Sequence, residues 1–194
     1  KRFVAADVPP DAGTLERIQY LNSRGSGVTA AEVQTMVDLY DAEIAANDAS
    51  FGELLEELRR RGLYDDTVVV FLSDHGEEFR DHGGWAHGKT LHSEMLDVPL
   101  IIKPAGPPIV GRRVSARAEH IDILPTLAAR AGVACPANQV EGRSLLPLLE
   151  NPQAEWPERY LFTHQGRWPT GANPDNYQWR GFAVRSHRFR FVDD

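Results

Sequence analysis

The chain contains one cysteine in 194 residues, fewer basic than acidic side chains, and no long apolar run. A single cysteine excludes an internal disulfide framework and leaves the redox compartment open. The formal net charge of −7 argues against a nucleic-acid partner, because phosphate backbones attract basic surfaces. No segment approaches the roughly 18 apolar residues of a membrane span. Hydrophobic residues at 42% and charged residues at 25% are ordinary for a folded globular chain.

The most informative segment joins an apolar run to a short polar motif. Residues 67–72 read Thr-Val-Val-Val-Phe-Leu, and Ser-Asp-His-Gly-Glu follows at 73–77. The run predicts a strand buried on both faces of a parallel sheet, and open α/β sheets bind ligands at the carboxyl ends of their strands. Asp74 offers a hard oxygen and His75 a borderline nitrogen, so the pair suits a divalent cation. The alternative is that Asp74 caps a turn and His75 is an ordinary polar residue.

A loop rich in glycine and histidine follows, and then a second apolar run. Residues 81–89 read Asp-His-Gly-Gly-Trp-Ala-His-Gly-Lys, and residues 97–102 read Asp-Val-Pro-Leu-Ile-Ile. Together with the first motif, these blocks resemble the sulfatases of the alkaline phosphatase superfamily. Two later blocks are similar to segments of the same family, Ile-Asp-Ile-Leu-Pro-Thr-Leu at 121–127 and Gly-Arg-Ser-Leu-Leu-Pro-Leu-Leu at 142–149. The blocks keep the family order over about residues 30–194.

This resemblance implies a fold and a class of reaction. The expected fold is α/β, a partial alkaline-phosphatase-like α/β/α sheet sandwich with a small C-terminal antiparallel sheet. We expect residues 1–150 to belong to the catalytic domain and residues 151–194 to the small subdomain. The implied function is metal-dependent hydrolysis of sulfuric esters. The alternatives are a phosphodiesterase or phosphonate monoester hydrolase of the same superfamily, and a non-catalytic homologue.

The resemblance also assigns roles to four residues. Asp74 and His75 correspond to metal ligands, with Ca²⁺ as the ion of the family, although an imidazole ligand favours Mn²⁺ or Zn²⁺. A family lysine that contacts the sulfate aligns with His87, or with Lys89 after a two-residue shift. Histidine titrates near neutrality and can act as a general acid on the leaving oxygen, whereas Lys89 would be a fixed cation. Either residue could instead be a solvated loop residue.

Two further histidines of this loop receive no role in the chemistry. His82 is interpreted as a structural loop residue and His92 as an exposed one. Their spacing does not suggest a second metal site, because no helical face enforces it.

A nucleophile is missing from the sequence. Sulfatases use a formylglycine made from the Cys or Ser of C/S-x-P-x-R, but Cys135 is followed directly by proline and no arginine stands four residues on. No Ser-x-Pro-x-Arg replaces it, and the N-terminal strand with two adjacent aspartates, which supplies other metal ligands in the family, is missing as well. We therefore expect the C-terminal part of a larger enzyme, completed by its N-terminal part and acting on a sulfate or phosphate ester. Unpaired apolar strand edges also predict association, for example as a homo-oligomer.

The remaining elements follow from local signals. Residues 1–28 are predicted to be irregular, with Thr29 and Glu32 forming a capping box for a long helix that ends at Gly62. Further strands are predicted at 98–103, 114–118, 160–164, 182–185 and 189–192, with a helix at 121–131.

Overall fold

The computed structural model describes residues 8–107, 110–136, 138–167, 178–186 and 188–193. These residues form five α-helices and seven strands. The α-helices are α1 Leu15–Arg24, α2 Ala30–Arg60, α3 Ser93–Leu96, α4 Ile123–Arg130 and α5 Leu146–Glu150. The strands are β1 Val69–Leu72, β2 Glu78–Phe79, β3 Trp85–Ala86, β4 Leu100–Lys103, β5 Leu161–Arg167, β6 Gln178–Arg185 and β7 Arg190–Asp193. No helix among the described residues is long and apolar enough to cross a membrane.

The predicted long helix α2 is confirmed together with its capping box. The Thr29 side chain accepts from the Glu32 backbone N–H, and the Glu32 carboxylate accepts from the Thr29 backbone N–H at 2.9 Å. These reciprocal bonds satisfy two of the donors that the first turn of a helix leaves open. The helix ends at Arg60, and Gly62 adopts a φ of 68°, a left-handed conformation that glycine adopts readily.

The prediction that residues 1–28 are irregular is wrong, because α1 lies within them. Thr14 caps this helix, and Leu21 is 1% exposed. Leu21 packs in one buried cluster with Met36 of α2 and Trp85 of β3. A helix of this length has only marginal stability in isolation, so its contacts with residues later in the chain stabilise it. Local sequence signals do not include these contacts and therefore failed to predict the helix.

Strand β1 forms as predicted, but its surroundings differ from the prediction. It pairs antiparallel with β4, with Val69 opposite Lys103 and Leu72 opposite Leu100, so the prediction of a parallel sheet is wrong for the pairing among the described residues. Burial on both faces is wrong as well, because Leu72 is 38% exposed and Ile101 of β4 is 61% exposed. An apolar run indicates a strand, whereas its partner and direction depend on residues far away in the sequence.

The described residues divide into two compact units. One contains the described residues of 1–106 and 165–181, and the other those of 107–164 and 182–193.

The small antiparallel C-terminal sheet is confirmed, with strand order β5-β6-β7 and Phe182 of β6 opposite Asp193 of β7. The strand predicted at 114–118 does not form, because these residues pair with no other strand among the residues that the structure describes. The division into domains at residue 150 remains a prediction.

A buried charge cluster organises the second unit. Asp122 is fully buried and accepts the backbone N–H groups of Glu119 and Arg143, each at 2.8 Å. Both terminal guanidinium nitrogens of Arg159 also bond its carboxylate. Burial raises the pKa of the neighbouring Glu119, the Arg159 charge acts in the opposite direction, and the Asp122 charge adds to the rise. Asp122 thereby joins three separate segments of this unit.

Candidate functional site

Asp74 and His75 follow directly after the carboxyl end of β1. A tight turn holds them, in which the Ser73 hydroxyl donates to the His75 carbonyl at 2.6 Å and the His75 N–H donates to Asp74 Oδ1 at 3.0 Å. The second carboxylate oxygen, Asp74 Oδ2, lies 3.7 Å from His75 Nε2. The two side chains are 88% and 41% exposed. The motif thus brings one oxygen and one nitrogen donor together at the position where the sequence predicted them.

The hydrogen bond at the other ring nitrogen defines the tautomer of His75. Its Nδ1 lies 2.8 Å from the Gly76 carbonyl oxygen, which can only accept a hydrogen bond. Nδ1 therefore carries a hydrogen, and Nε2 is the ring nitrogen on the side of Asp74. Histidine ligands of metal ions commonly donate their second N–H in this way, which fixes the ring orientation.

The β2–β3 hairpin brings the next two candidate residues together. Glu78 lies opposite Ala86 and Phe79 opposite Trp85. Continuing this antiparallel register by one residue places Glu77 opposite His87, just outside the two paired strands. Accordingly, His87 Nδ1 lies 3.1 Å from Glu77 Oε2. Sequence reasoning missed Glu77, because the pairing depends on where the hairpin turns.

His87 also contacts the first motif. Its ring centroid lies 4.1 Å from that of His75, with 32° between the ring planes. One donor atom each from His75, Glu77 and His87 lie within 4.8 Å of one another. Lys89, by contrast, is exposed and forms no hydrogen bond or ion pair with the described residues. The structure therefore brings Asp74, His75 and His87 together, whereas Lys89 has no such contact with the described residues.

Glu78 is the buried residue that organises this loop. Its side chain is 1% exposed. It accepts the backbone N–H groups of His82 at 3.1 Å and Gly84 at 2.8 Å, and the Thr90 hydroxyl at 3.1 Å. Consecutive residues of a strand face opposite sides. The Glu78 side chain therefore points inward, whereas the Glu77 side chain points towards His87. The adjacent glutamates at 77 and 78 were the signal in the sequence for this division of roles.

The two remaining loop histidines form a second group. The His82 and His92 rings are stacked, with centroids 3.6 Å apart and planes 14° apart, and His82 Nδ1 bonds Glu94. His82 therefore has the structural contact that its interpretation as a loop residue requires. The prediction that His92 is exposed is wrong, because the stacking leaves it half-buried.

The Glu77 carboxylate also influences Tyr40 of helix α2. Tyr40 packs edge-on against Phe79, with ring centroids 5.2 Å apart. Burial, followed by the nearby Glu77 and Asp41 carboxylates, raises the pKa of Tyr40. The face of α2 next to β2 thus lies close to an acidic group of the site.

Comparisons with known proteins identify the family. The Sulfatase family model matches residues 10–133. The N-acetylglucosamine-6-O-sulfatase of Bacteroides thetaiotaomicron is 28% identical over 172 residues, covering 87% of this chain and 30% of that protein. The multifunctional alkaline phosphatase superfamily protein PehA of Trinickia caryophylli is 35% identical over 139 residues, covering 69% of this chain and 26% of that protein.

Solved structures agree with the sequence comparison. The phosphonate monoester hydrolase SpPMH from Silicibacter pomeroyi matches with a TM-score of 0.72 at 30% identity, over 85% of this chain and 34% of that chain. The chain belongs to the sulfatase family and has an alkaline-phosphatase-like α/β fold, as the motifs of the sequence predicted. It spans about a third or less of the length of these relatives.

Proposed function

We propose that this chain contributes the metal-binding side and part of the ester-binding side of a sulfatase-family hydrolase. Asp74 and His75 bind a divalent cation, and His87 and Lys89 act on the sulfuric ester. The observation that carries the proposal is the 3.7 Å separation of Asp74 Oδ2 and His75 Nε2 at the end of β1, with the His87 ring in contact with His75.

The donor atoms fit a divalent ion. Two ligands about 2.3–2.6 Å from Ca²⁺ and at right angles to each other are about 3.3–3.7 Å apart, which matches the observed pair. The ion would supply Lewis-acid stabilisation of negative charge on the ester oxygens. Ca²⁺ is the ion that the family suggests, whereas the nitrogen donor of His75 favours Mn²⁺ or Zn²⁺.

His87 is suited to proton transfer at the leaving oxygen. Its Nδ1 is 3.1 Å from the Glu77 carboxylate, which holds the ring and leaves Nε2 to face the ester. A carboxylate at the far nitrogen orients the ring, as it does in other general acid–base sites. Lys89, exposed at the end of the same loop, adds a fixed positive charge that attracts an anionic ester.

Two relatives suggest the range of esters. One is named as a sulfatase of N-acetylglucosamine 6-O-sulfate and another as a phosphonate monoester hydrolase. A sulfated sugar is therefore the first substrate class to test, and an aryl phosphonate monoester the second. A non-catalytic homologue would hydrolyse neither.

The test compares this 194-residue chain with the longest polypeptide that contains it. Because the chain has no C/S-x-P-x-R motif for a formylglycine, we expect no turnover of an aryl sulfate from the chain alone, with or without added metal. In a longer polypeptide that supplies a nucleophile, Asp74→Asn should abolish most of the turnover, and His164→Ala serves as the control outside the site. Turnover by the isolated chain that survives Asp74→Asn would refute the proposal.

A further inference from the structure

We propose that His75, Glu77 and His87 form a binding site for a borderline transition-metal ion of the Zn²⁺ class, with all three donors supplied by this chain. The inference rests on the proposed function, since it shares His75 with the Asp74–His75 pair, and because His75 Nε2 binds one ion at a time, the two ions compete for it. It differs from that function in using His87 as a ligand rather than as a proton donor.

The donor atoms are close to the spacing that such an ion requires. Tetrahedral Zn²⁺ with bonds of about 2.0–2.1 Å places its ligand atoms about 3.3–3.4 Å apart. Glu77 Oε2 and His87 Nδ1 are 3.1 Å apart, and one ligand atom from each of the three residues lies within 4.8 Å of the other two. The two histidine side chains are 41% and 54% exposed, so they can rotate to close the remaining distance of about 1.4 Å at most.

The existing hydrogen bonds determine which nitrogen of each histidine can bind the ion. His75 Nδ1 donates to the Gly76 carbonyl, which leaves Nε2 as its donor atom. His87 Nδ1 and Glu77 Oε2 share one hydrogen in the metal-free chain. An ion would replace that bridging hydrogen, which moves to Nε2 of the neutral His87 ring. The His75 and His87 rings lie face to face at 32°, so their in-plane lone pairs can point to the same edge.

The backbone around the three residues is already held in place. The Gly76 N–H donates to the Met95 carbonyl at 2.9 Å, which fixes the residue between His75 and Glu77. The Glu78 carboxylate, bonded to backbone N–H groups of His82 and Gly84, fixes the turn that returns the chain to His87. Little ordering therefore remains for the ion to impose, which favours binding.

The donor set determines the class of ion. Two imidazole nitrogens and one carboxylate are a known ligand set of Zn²⁺, whereas Ca²⁺ prefers six to eight oxygen ligands. Zn²⁺ should therefore bind this chain more tightly than Mn²⁺, in keeping with the general order of divalent affinities. Because a ligated His87 no longer donates a proton, loading this site would also inhibit the proposed ester hydrolysis.

Metal titration of the 194-residue chain, prepared without a histidine tag, tests the inference. Co²⁺ serves as a visible-absorbing probe, and Zn²⁺ is then added in competition. We expect one equivalent to bind. His87→Ala and Glu77→Gln should each weaken Zn²⁺ binding by at least about tenfold, because loss of even an indirect metal partner costs that much. His87→Cys should restore tight binding, since a thiolate is also a Zn²⁺ ligand; a merely structural role of His87 would not produce this rescue.

His82→Ala is the matched control from the same loop, and circular dichroism confirms that each variant is folded. Unchanged Zn²⁺ affinity in both His87→Ala and Glu77→Gln would overturn the inference. So would a loss confined to His82→Ala, because it would place the ion at the other group, Glu78, His82 and Glu94. Failure here is distinguishable from failure of the proposed function, which is read from Asp74→Asn through turnover in the longer polypeptide.

Discussion

Gly76→Ala should destabilise the first unit strongly, because no space exists for a methyl group. A Cβ built on Gly76 would overlap the Glu94 carbonyl oxygen, lie 2.8 Å from the carbonyl carbon of Glu94 and lie 3.1 Å from Met95 Cα. Ordinary contacts begin near 3.4 Å, so the carbonyl carbon alone would have to retreat by about 0.6 Å, and the overlapping oxygen by considerably more. All three obstructing atoms belong to the backbone, which cannot turn away as a flexible side chain can.

The expected cost follows from two terms. Overpacking typically costs about 1–3 kcal/mol, and rigid backbone obstacles place this site at the upper end. The same displacement strains the 2.9 Å hydrogen bond from the Gly76 N–H to the Met95 carbonyl, a loss of about 1 kcal/mol. We therefore expect the free energy of unfolding to fall by about 3–4 kcal/mol, and the metal binding that we propose for the adjacent His75 to weaken as well.

Urea unfolding followed by circular dichroism and tryptophan fluorescence measures this change. Gly52→Ala is the matched control, because Gly52 lies inside α2 with no atom within 4 Å of a built Cβ. Alanine there should stabilise the helix by about 0.5–1 kcal/mol, so the same substitution is expected to act with opposite sign at the two positions. A Gly76→Ala variant within about 0.5 kcal/mol of the wild type would refute the claim that the contact with Glu94 holds this turn.

Three further predictions concern stability. Asp122→Ala should cost about 3–5 kcal/mol in urea unfolding, because it removes the bidentate partner of the buried Arg159 and leaves that charge with Glu119 alone, at 3.2 Å; a loss below about 1 kcal/mol would contradict this. Since the pKa of Glu119 is raised in the folded state, stability should fall as pH rises from the unfolded value near 4.5 through the folded one. Glu119→Gln should remove that part of the slope in melts across this window, and an unchanged slope would refute the assignment. Thr29→Ala removes the cap of α2 and should cost about 0.5–2 kcal/mol in urea unfolding, whereas Thr29→Ser should retain most of the stability.

Features that depend on neighbours in the sequence were predictable. The capping box of α2 joins residues three apart, and Asp74 and His75 are covalent neighbours after an apolar run, so local patterns predicted both. The family resemblance rests on such short blocks in a fixed order. The small C-terminal sheet was expected from the family resemblance, and local signals predicted its individual strands.

Features that depend on distant pairing were not predictable in the same way. The contact of Glu77 with His87 requires the hairpin register of β2 and β3, and the stacking of His82 on His92 requires the return of the chain through that loop. Helix α1 was missed because its stabilising contacts with Met36 and Trp85 come from later segments. The buried role of Asp122 likewise depends on Arg159, which lies 37 residues further along.

The sequence by itself determined the sulfatase resemblance, the helix α2 and the donor pair Asp74 and His75, because these depend on residue types and on spacings of a few residues. Tertiary structure alone decided that β1 runs antiparallel to β4 and that Glu77 and His87 meet beside His75. The physical reason is that helix caps and apolar periodicity depend on residues within one or two turns of chain. Strand partners, by contrast, are selected by packing between segments that lie far apart in the sequence, and no local pattern specifies which segments meet.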